Sequence, residues 1–177
     1  KALLFDLSHG QAAQPAAAGA QFETVDIVQA VRTATDGLQD AAREKHLHFS
    51  VVLPAAPMWI RADPARLQQM LQNLLGNAFK YTPAGGRVTV VLSAEADMAV
   101  VRIEDNGSGI SPEVLPHVFE LFTREGRMQG AEGLGVGLSV VKELAALHGG
   151  SIDARSPGRD KGSIFGLRLP LARERGA

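Results

Sequence analysis

Apolar positions recur along this chain with two different periods, and the places where the period changes divide it into elements. Residues 1–9 pattern as the end of an amphipathic helix, and the alanine-rich stretch 10–19, which contains Pro15, reads as a linker. QFETV (21–25) is a short strand candidate. Asp26 then stands as a cap ahead of Ile27, Val31, Ala34, Leu38 and Ala41, whose spacing predicts one helix over 27–45. HFSVVL (48–53) and MWIRA (58–62) read as strands separated by Pro54 and Pro57. Asp63-Pro64 opens a second helix by placing proline in its first turn. Leu67, Met70, Leu71, Leu74, Leu75 and Ala78 carry the apolar stripe of that helix to Lys80, and Tyr81-Thr82-Pro83-Ala84-Gly85-Gly86 ends it.

RVTVVLSA (87–94) and MAVVRIED (98–105) alternate and are rich in β-branched residues, so they predict a hairpin turning at Glu95-Ala96-Asp97. A helix over 138–148 follows, then SIDARS (151–156) and SIFGLRLP (163–170) as a closing strand pair. Hairpins mixed with helices, without strict βαβ alternation, predict an α/β (α+β) two-layer sandwich: a mixed β-sheet covered on one face by helices. With 177 residues, 45% hydrophobic and 21% charged, the chain has the material for one domain with its own core. A formal net charge of −1 offers no broad basic field for nucleic acid. The absence of cysteine excludes disulfides and thiolate metal sites and suits the cytoplasm. No apolar run is long enough to span a membrane.

Three segments carry candidate chemistry. Asn73 and Asn77 lie one turn apart on the second helix, with Lys80 on the next turn. Amides inside an apolar-patterned helix want a partner such as a ligand, a cation or backbone, although a solvated face would show the same residues. Asp105-Asn106-Gly107-Ser108-Gly109-Ile110 ends the second hairpin strand. Its glycines admit close approach of a flat ligand and its carboxylate can accept from an amino group; a plain turn has the same composition. Gly133-Leu134-Gly135-Val136-Gly137-Leu138 runs into a helix, so its backbone N–H groups can face phosphate at a positive helix end, or serve as a hinge. The polar, glycine-containing stretch 124–132 suits a mobile lid. Neither the spacing of a Rossmann glycine motif nor a Walker A sequence occurs.

NLLGNAFKYTP, DNGSGI, FELFTR and GLGVGLSVVKELAALHGG resemble, in order, the four boxes of the sensor histidine kinase ATP-binding domain, which has the gyrase, chaperone and histidine kinase type of fold. The resemblance covers roughly 21–170. It implies ATP and Mg²⁺ as cofactors, with Asn77 supplying an oxygen to the metal and Asn73 beside it as the one candidate for a catalytic role. Lys80 and Tyr81 would face the nucleotide, Asp105 would hold the adenine amino group, and Gly107, Gly109 and Ile110 would shape the ring's pocket. Phe119 and Phe122 match the phenylalanine box that anchors the ATP lid, though core packing gives aromatics the same spacing. Gly133, Leu134, Gly135, Val136, Gly137 and Leu138 would cradle the phosphates. Ile164 stands where relatives often carry threonine, with Ser163 as its substitute.

Residues 1–19 resemble the tail of the family's dimerisation hairpin plus a linker, which leaves 20–177 as the catalytic domain. His9 lies past the place of a phosphoacceptor, so the acceptor is expected outside this chain. The resemblance implies two partners: the dimerisation and phosphoacceptor domain of the same protein, and a response regulator receiver domain. It implies a largely monomeric cytoplasmic domain of a protein that can be membrane-anchored. His148 reads as a helix-capping residue favourable to the dipole, and His46, His48 and His117 lack metal spacing. Relatives that hydrolyse ATP are similar but carry glutamate where Asn73 stands, and asparagine cannot serve as a general base. An anti-sigma-type serine kinase and a non-catalytic nucleotide-binding module remain the alternatives.

Overall fold

The computed structural model describes residues 19–120 and 137–173. The expected helix over 1–9, the linker up to residue 18, the lid, Phe122, and Gly133 to Val136 lie outside the described residues. The elements are β1 (Glu23–Asp26), α1 (Ile27–Asp36), α2 (Gln39–Glu44), β2 (His48–Val52), β3 (Trp59–Ala62), α3 (Pro64–Tyr81), β4 (Arg87–Glu95), β5 (Met98–Asp105), α4 (Gly137–Leu147), β6 (Ser151–Arg155) and β7 (Ser163–Pro170). A five-stranded sheet runs β2-β4-β5-β7-β6, with only the β2–β4 pair parallel, and β1 and β3 form a separate antiparallel pair. This is the expected mixed sheet with helices, and among the described helices none is long and apolar enough to cross a membrane.

The α3 stripe is buried as its spacing predicts: Leu67, Met70, Leu71, Leu74, Leu75 and Ala78 are all in the core. They meet the inward residues of the sheet, Val88, Val90 and Leu92 of β4, Val101 and Ile103 of β5, and Phe165, Leu167 and Leu169 of β7, which alternate with outward positions because strand side chains do. The helix expected over 27–45 is instead two helices. Gly37 lowers helix propensity, the Thr35 hydroxyl bonds back to the Val31 carbonyl at 2.9 Å, and the Leu38 N–H tightens onto Thr35 at 3.0 Å. The break changes the phase of the second piece, so Ala42, rather than Ala41, enters the core.

Side-chain caps fix where the helices begin. Asp26 Oδ1 accepts from Val28 N at 3.0 Å and from Met58 N at 3.1 Å, tying α1 to the approach of β3. Asp63 caps α3 through Arg66 N at 3.1 Å, and its other oxygen takes Gln21 N at 2.8 Å. On the outer face of the sheet Glu95 pairs with Arg168 at 2.8 Å and Arg102 at 3.2 Å. The Arg168 hydrogen bond, followed by that of Arg102, holds its carboxyl below the usual carboxylate range.

Asp63 is the junction to test. Replacement by alanine is expected to cost about 1–2 kcal/mol, measured by urea unfolding, because α3 loses its cap. The Gln21 N–H, chiefly, then that of Arg66, holds the Asp63 carboxyl below its ordinary value. A depressed folded value means that the contribution is complete above the unfolded pKa of about 4 and is lost as pH falls through the lower folded value. Asp63→Asn should therefore flatten the loss of stability that the wild type shows as pH falls below about 4.

Candidate functional site

The polar side of α3 holds Asn73 and Asn77, both half-buried, one turn apart. Asn73 Nδ2 donates to the carbonyl of Gly137 in α4 at 3.2 Å, so this side chain fastens the two helices. The Asn77 amide has no protein hydrogen bond among the described residues. One turn on, Lys80 is exposed with its ammonium 5.5 Å from the Tyr81 ring centroid, and that ring is 47% exposed. The geometry is a cation over an aromatic face, open to solvent.

Beyond the end of β5 the chain enters a tightly held loop. Asp105 is only 6% exposed, and both of its oxygens are engaged: Oδ1 by the Gly107 N–H at 2.9 Å, Oδ2 by the Ser163 hydroxyl at 2.6 Å. A carboxylate has about four lone-pair positions, so it keeps room for a further donor. The β5–β7 register, which sets Asp105 opposite Ser163, makes this pairing. Strand alternation puts Ser163 on the Asp105 side and turns the neighbouring Ile164 to the other face.

Glycine is needed in this loop because backbone lies against backbone. A Cβ on Gly107 would fall 2.2 Å from the Tyr81 carbonyl oxygen, which also accepts the Ser108 N–H at 3.0 Å. Gly109, at φ +65°, would put a Cβ 2.1 Å from the Gly158 carbonyl oxygen. The loop is thus held between the end of α3 and residues 156–162. Gly162 N donates to Gly107 O at 3.1 Å, Asp160 N to Ser108 O at 2.7 Å, and Ile110 N to Ser156 Oγ at 2.9 Å. Ser156, Gly158 and Gly162 are site-building residues that the sequence reading passed over. Their signal was a Ser-Pro-Gly turn cluster, which announces a turn without saying what it abuts.

Gly137 begins α4 and Leu138 packs against the core beside it. Phe119 stands edge-on to Phe165 at 6.1 Å and also packs on the core, as does Ile110. His148 stands at the end of α4, as expected. Its Nδ1 reaches the Leu144 carbonyl at 2.7 Å, and Nε2 accepts the Asp63 N–H at 3.2 Å. The site therefore has a closely held end at Asp105, with an acceptor for an amino group, and a second end where Asn77 offers an amide oxygen.

The family model described as histidine kinase-, DNA gyrase B- and HSP90-like ATPase matches residues 62–173. The signal transduction histidine-protein kinase AfsQ2 of Streptomyces coelicolor is 46% identical over 112 residues, which are 62% of this chain and 20% of that protein. Among solved structures, the mycobacterial sensor histidine kinase MprB superposes with a TM-score of 0.73 at 30% identity, covering 84% of this chain and 98% of that one. Full-length ShkA, solved in complex with AMPPNP, gives 0.72 at 29% identity, covering 88% and 32%. The chain spans between 10% and 35% of the length of eight curated relatives.

Two glycine replacements separate crowding from conformational freedom. Gly107→Ala must displace the Tyr81 carbonyl and should lower stability by about 1–3 kcal/mol in thermal melts. Gly76→Ala, on α3 with nothing within 4 Å of the new methyl group, should raise it by about 0.5–1 kcal/mol.

Proposed function

The chain belongs to the histidine kinase-, DNA gyrase B- and HSP90-like ATPase family and is homologous to sensor histidine kinase catalytic domains; from this premise we propose that it binds ATP with Mg²⁺ and donates the γ-phosphoryl group to a histidine on a separate helical domain. The observation that carries the proposal is Asp105, a buried carboxylate fixed by Gly107 and Ser163 with acceptor capacity to spare. It would receive the adenine amino group, while the crowded glycine loop fixes the plane in which the ring lies. Asn77 offers the hard oxygen that Mg²⁺ prefers, together with an amide that the protein leaves unengaged among the described residues. Magnesium, when bound, would neutralise charge on the nucleotide phosphates. Lys80 and Tyr81, at the solvent edge of the same helix end, would flank the nucleotide, and Gly137 and Leu138 would present the start of α4 to its phosphates.

In the transfer, an acceptor imidazole nitrogen attacks the γ-phosphorus, the P–N bond forms and the bond to the β-γ bridging oxygen breaks, releasing ADP. Positioning and charge stabilisation carry most of such a reaction. Asn73 supports transfer over hydrolysis: its amide is occupied in fastening α3 to Gly137, and it cannot take a proton from water. The phosphohistidine would then serve a response regulator receiver domain. The relatives' names favour this over a serine kinase or an inert binding module.

Calorimetric titration of AMPPNP with Mg²⁺ into the chain tests the reading. Saturable binding is expected, weakened about tenfold or more in both Asn77→Ala and Asp105→Ala, as losing one charge-assisted contact implies. Adding a separately prepared phosphoacceptor hairpin domain and labelled ATP should then label its histidine. A folded wild-type chain that takes up no nucleotide would overturn the proposal.

A further inference from the structure

Lys45, the C-cap of α2, is half-buried far along the chain from every box of the site, and its ammonium donates to the carbonyl oxygen of Phe79 in the last turn of α3. A helix end leaves its last carbonyls without partners inside the helix and carries partial negative charge, so a cation is favoured there. At this helix end different neighbours meet the carbonyls. Thr82 Oγ1 donates to Ala78 O at 2.7 Å, Ser108 N to Tyr81 O at 3.0 Å, and Lys45 to Phe79 O. Lys45 is the cation among these three donors, and burial pushes its ammonium below the usual lysine range.

The adjoining residues press on the same place. Gly85 N donates to His46 O at 2.8 Å, His48 N donates to Gly86 O at 2.9 Å, and Phe49 stands edge-on to Phe79 at 5.1 Å. The corner between α2 and β2 is therefore a clamp along the end of α3 and the turn after it. The final turn of α3 presents Lys80 and Tyr81, and through the Tyr81 carbonyl it holds Ser108 in the loop that follows Asp105. A loose last turn would displace both at once.

We propose that Lys45 is a positioning residue for nucleotide binding, its charge-assisted bond to Phe79 holding the last turn of α3 in the geometry that receives ATP. This rests on the ATP-binding reading above. Lys45→Met keeps the apolar stem and removes charge and donor, whereas Lys45→Arg keeps both. The dissociation constant for AMPPNP with Mg²⁺, measured well below the melting temperature, should rise about five- to tenfold in Lys45→Met and return to within about twofold of wild type in Lys45→Arg. Leu38→Ala removes core volume beneath the junction of α1 and α2 and controls for lost stability alone; it should bind as wild type does. Where Lys45→Met proves unfolded, Lys45→Leu carries the same comparison. Wild-type affinity in the folded Met or Leu variant, or a loss no larger than that of Leu38→Ala, would overturn the role of Lys45 alone. Failure of the wild type to bind would instead overturn the ATP reading and this inference with it.

Discussion

A helix that ends inside a protein must have its last carbonyls met by something, and the way α3 meets this requirement sets the shape of the site. Its apolar stripe fixes the helix against the sheet, so the helix end cannot move to water to satisfy itself. The partners come to it instead: Thr82 from the cap, Lys45 from α2 and Ser108 from the loop beyond β5. The last of these is possible only because Gly107 has no Cβ to strike the Tyr81 carbonyl. The loop so captured is the one that carries Asp105, and a buried carboxylate in turn demands donors, which Gly107 and Ser163 supply.

The two ends of the site are built from different groups. Around Asp105 the loop is clasped on one side by the end of α3 and on the other by residues 156–162, with hydrogen bonds from Ser108, Asp160, Gly162 and Ile110. Such an end suits recognition of a flat ring, for which the geometry must exist before the ligand arrives. At the other end Asn73 joins α3 to the first residue of α4, and Asn77 projects an amide that the described protein leaves free of hydrogen bonds. In the proposed function that end would receive an ion and phosphates, whose charges a hard oxygen and backbone dipoles would meet.

Residues 21–22 are tied to both helices of the site. Asp63 caps α3 while binding Gln21, and its N–H reaches His148 at the end of α4, where Phe22 lies 4.9 Å from the imidazole. Gln21 and Phe22 thus touch the beginning of one site helix and the end of the other. On the opposite face of the sheet, Glu95, Arg168, Arg102 and Asp153 form an exposed ion-pair network. Pairs so open to water contribute little individually, and the stability resides in the other face.

Much of this was legible from order along the chain alone. Periodicity located α3 and its six core residues, because side chains three and four apart must share a face whatever they pack against. The amide pair, the aspartate loop and the glycine run were visible for the same local reason: each is a short contiguous motif. Contacts between distant segments decided the rest. The break at Gly37 moved Ala42 into the core in place of Ala41, since the sheet rewards whichever residue the new phase turns inward. The choice of Ser163 over Ile164 followed from β-register, and the roles of Lys45, Ser156, Gly158 and Gly162 from backbone atoms brought together across the fold. A sequence states which residues can form helix, strand or turn; only closure of the tertiary structure determines which unsatisfied group each one meets, because hydrogen bonds and excluded volume act over ångströms in space and not along the chain.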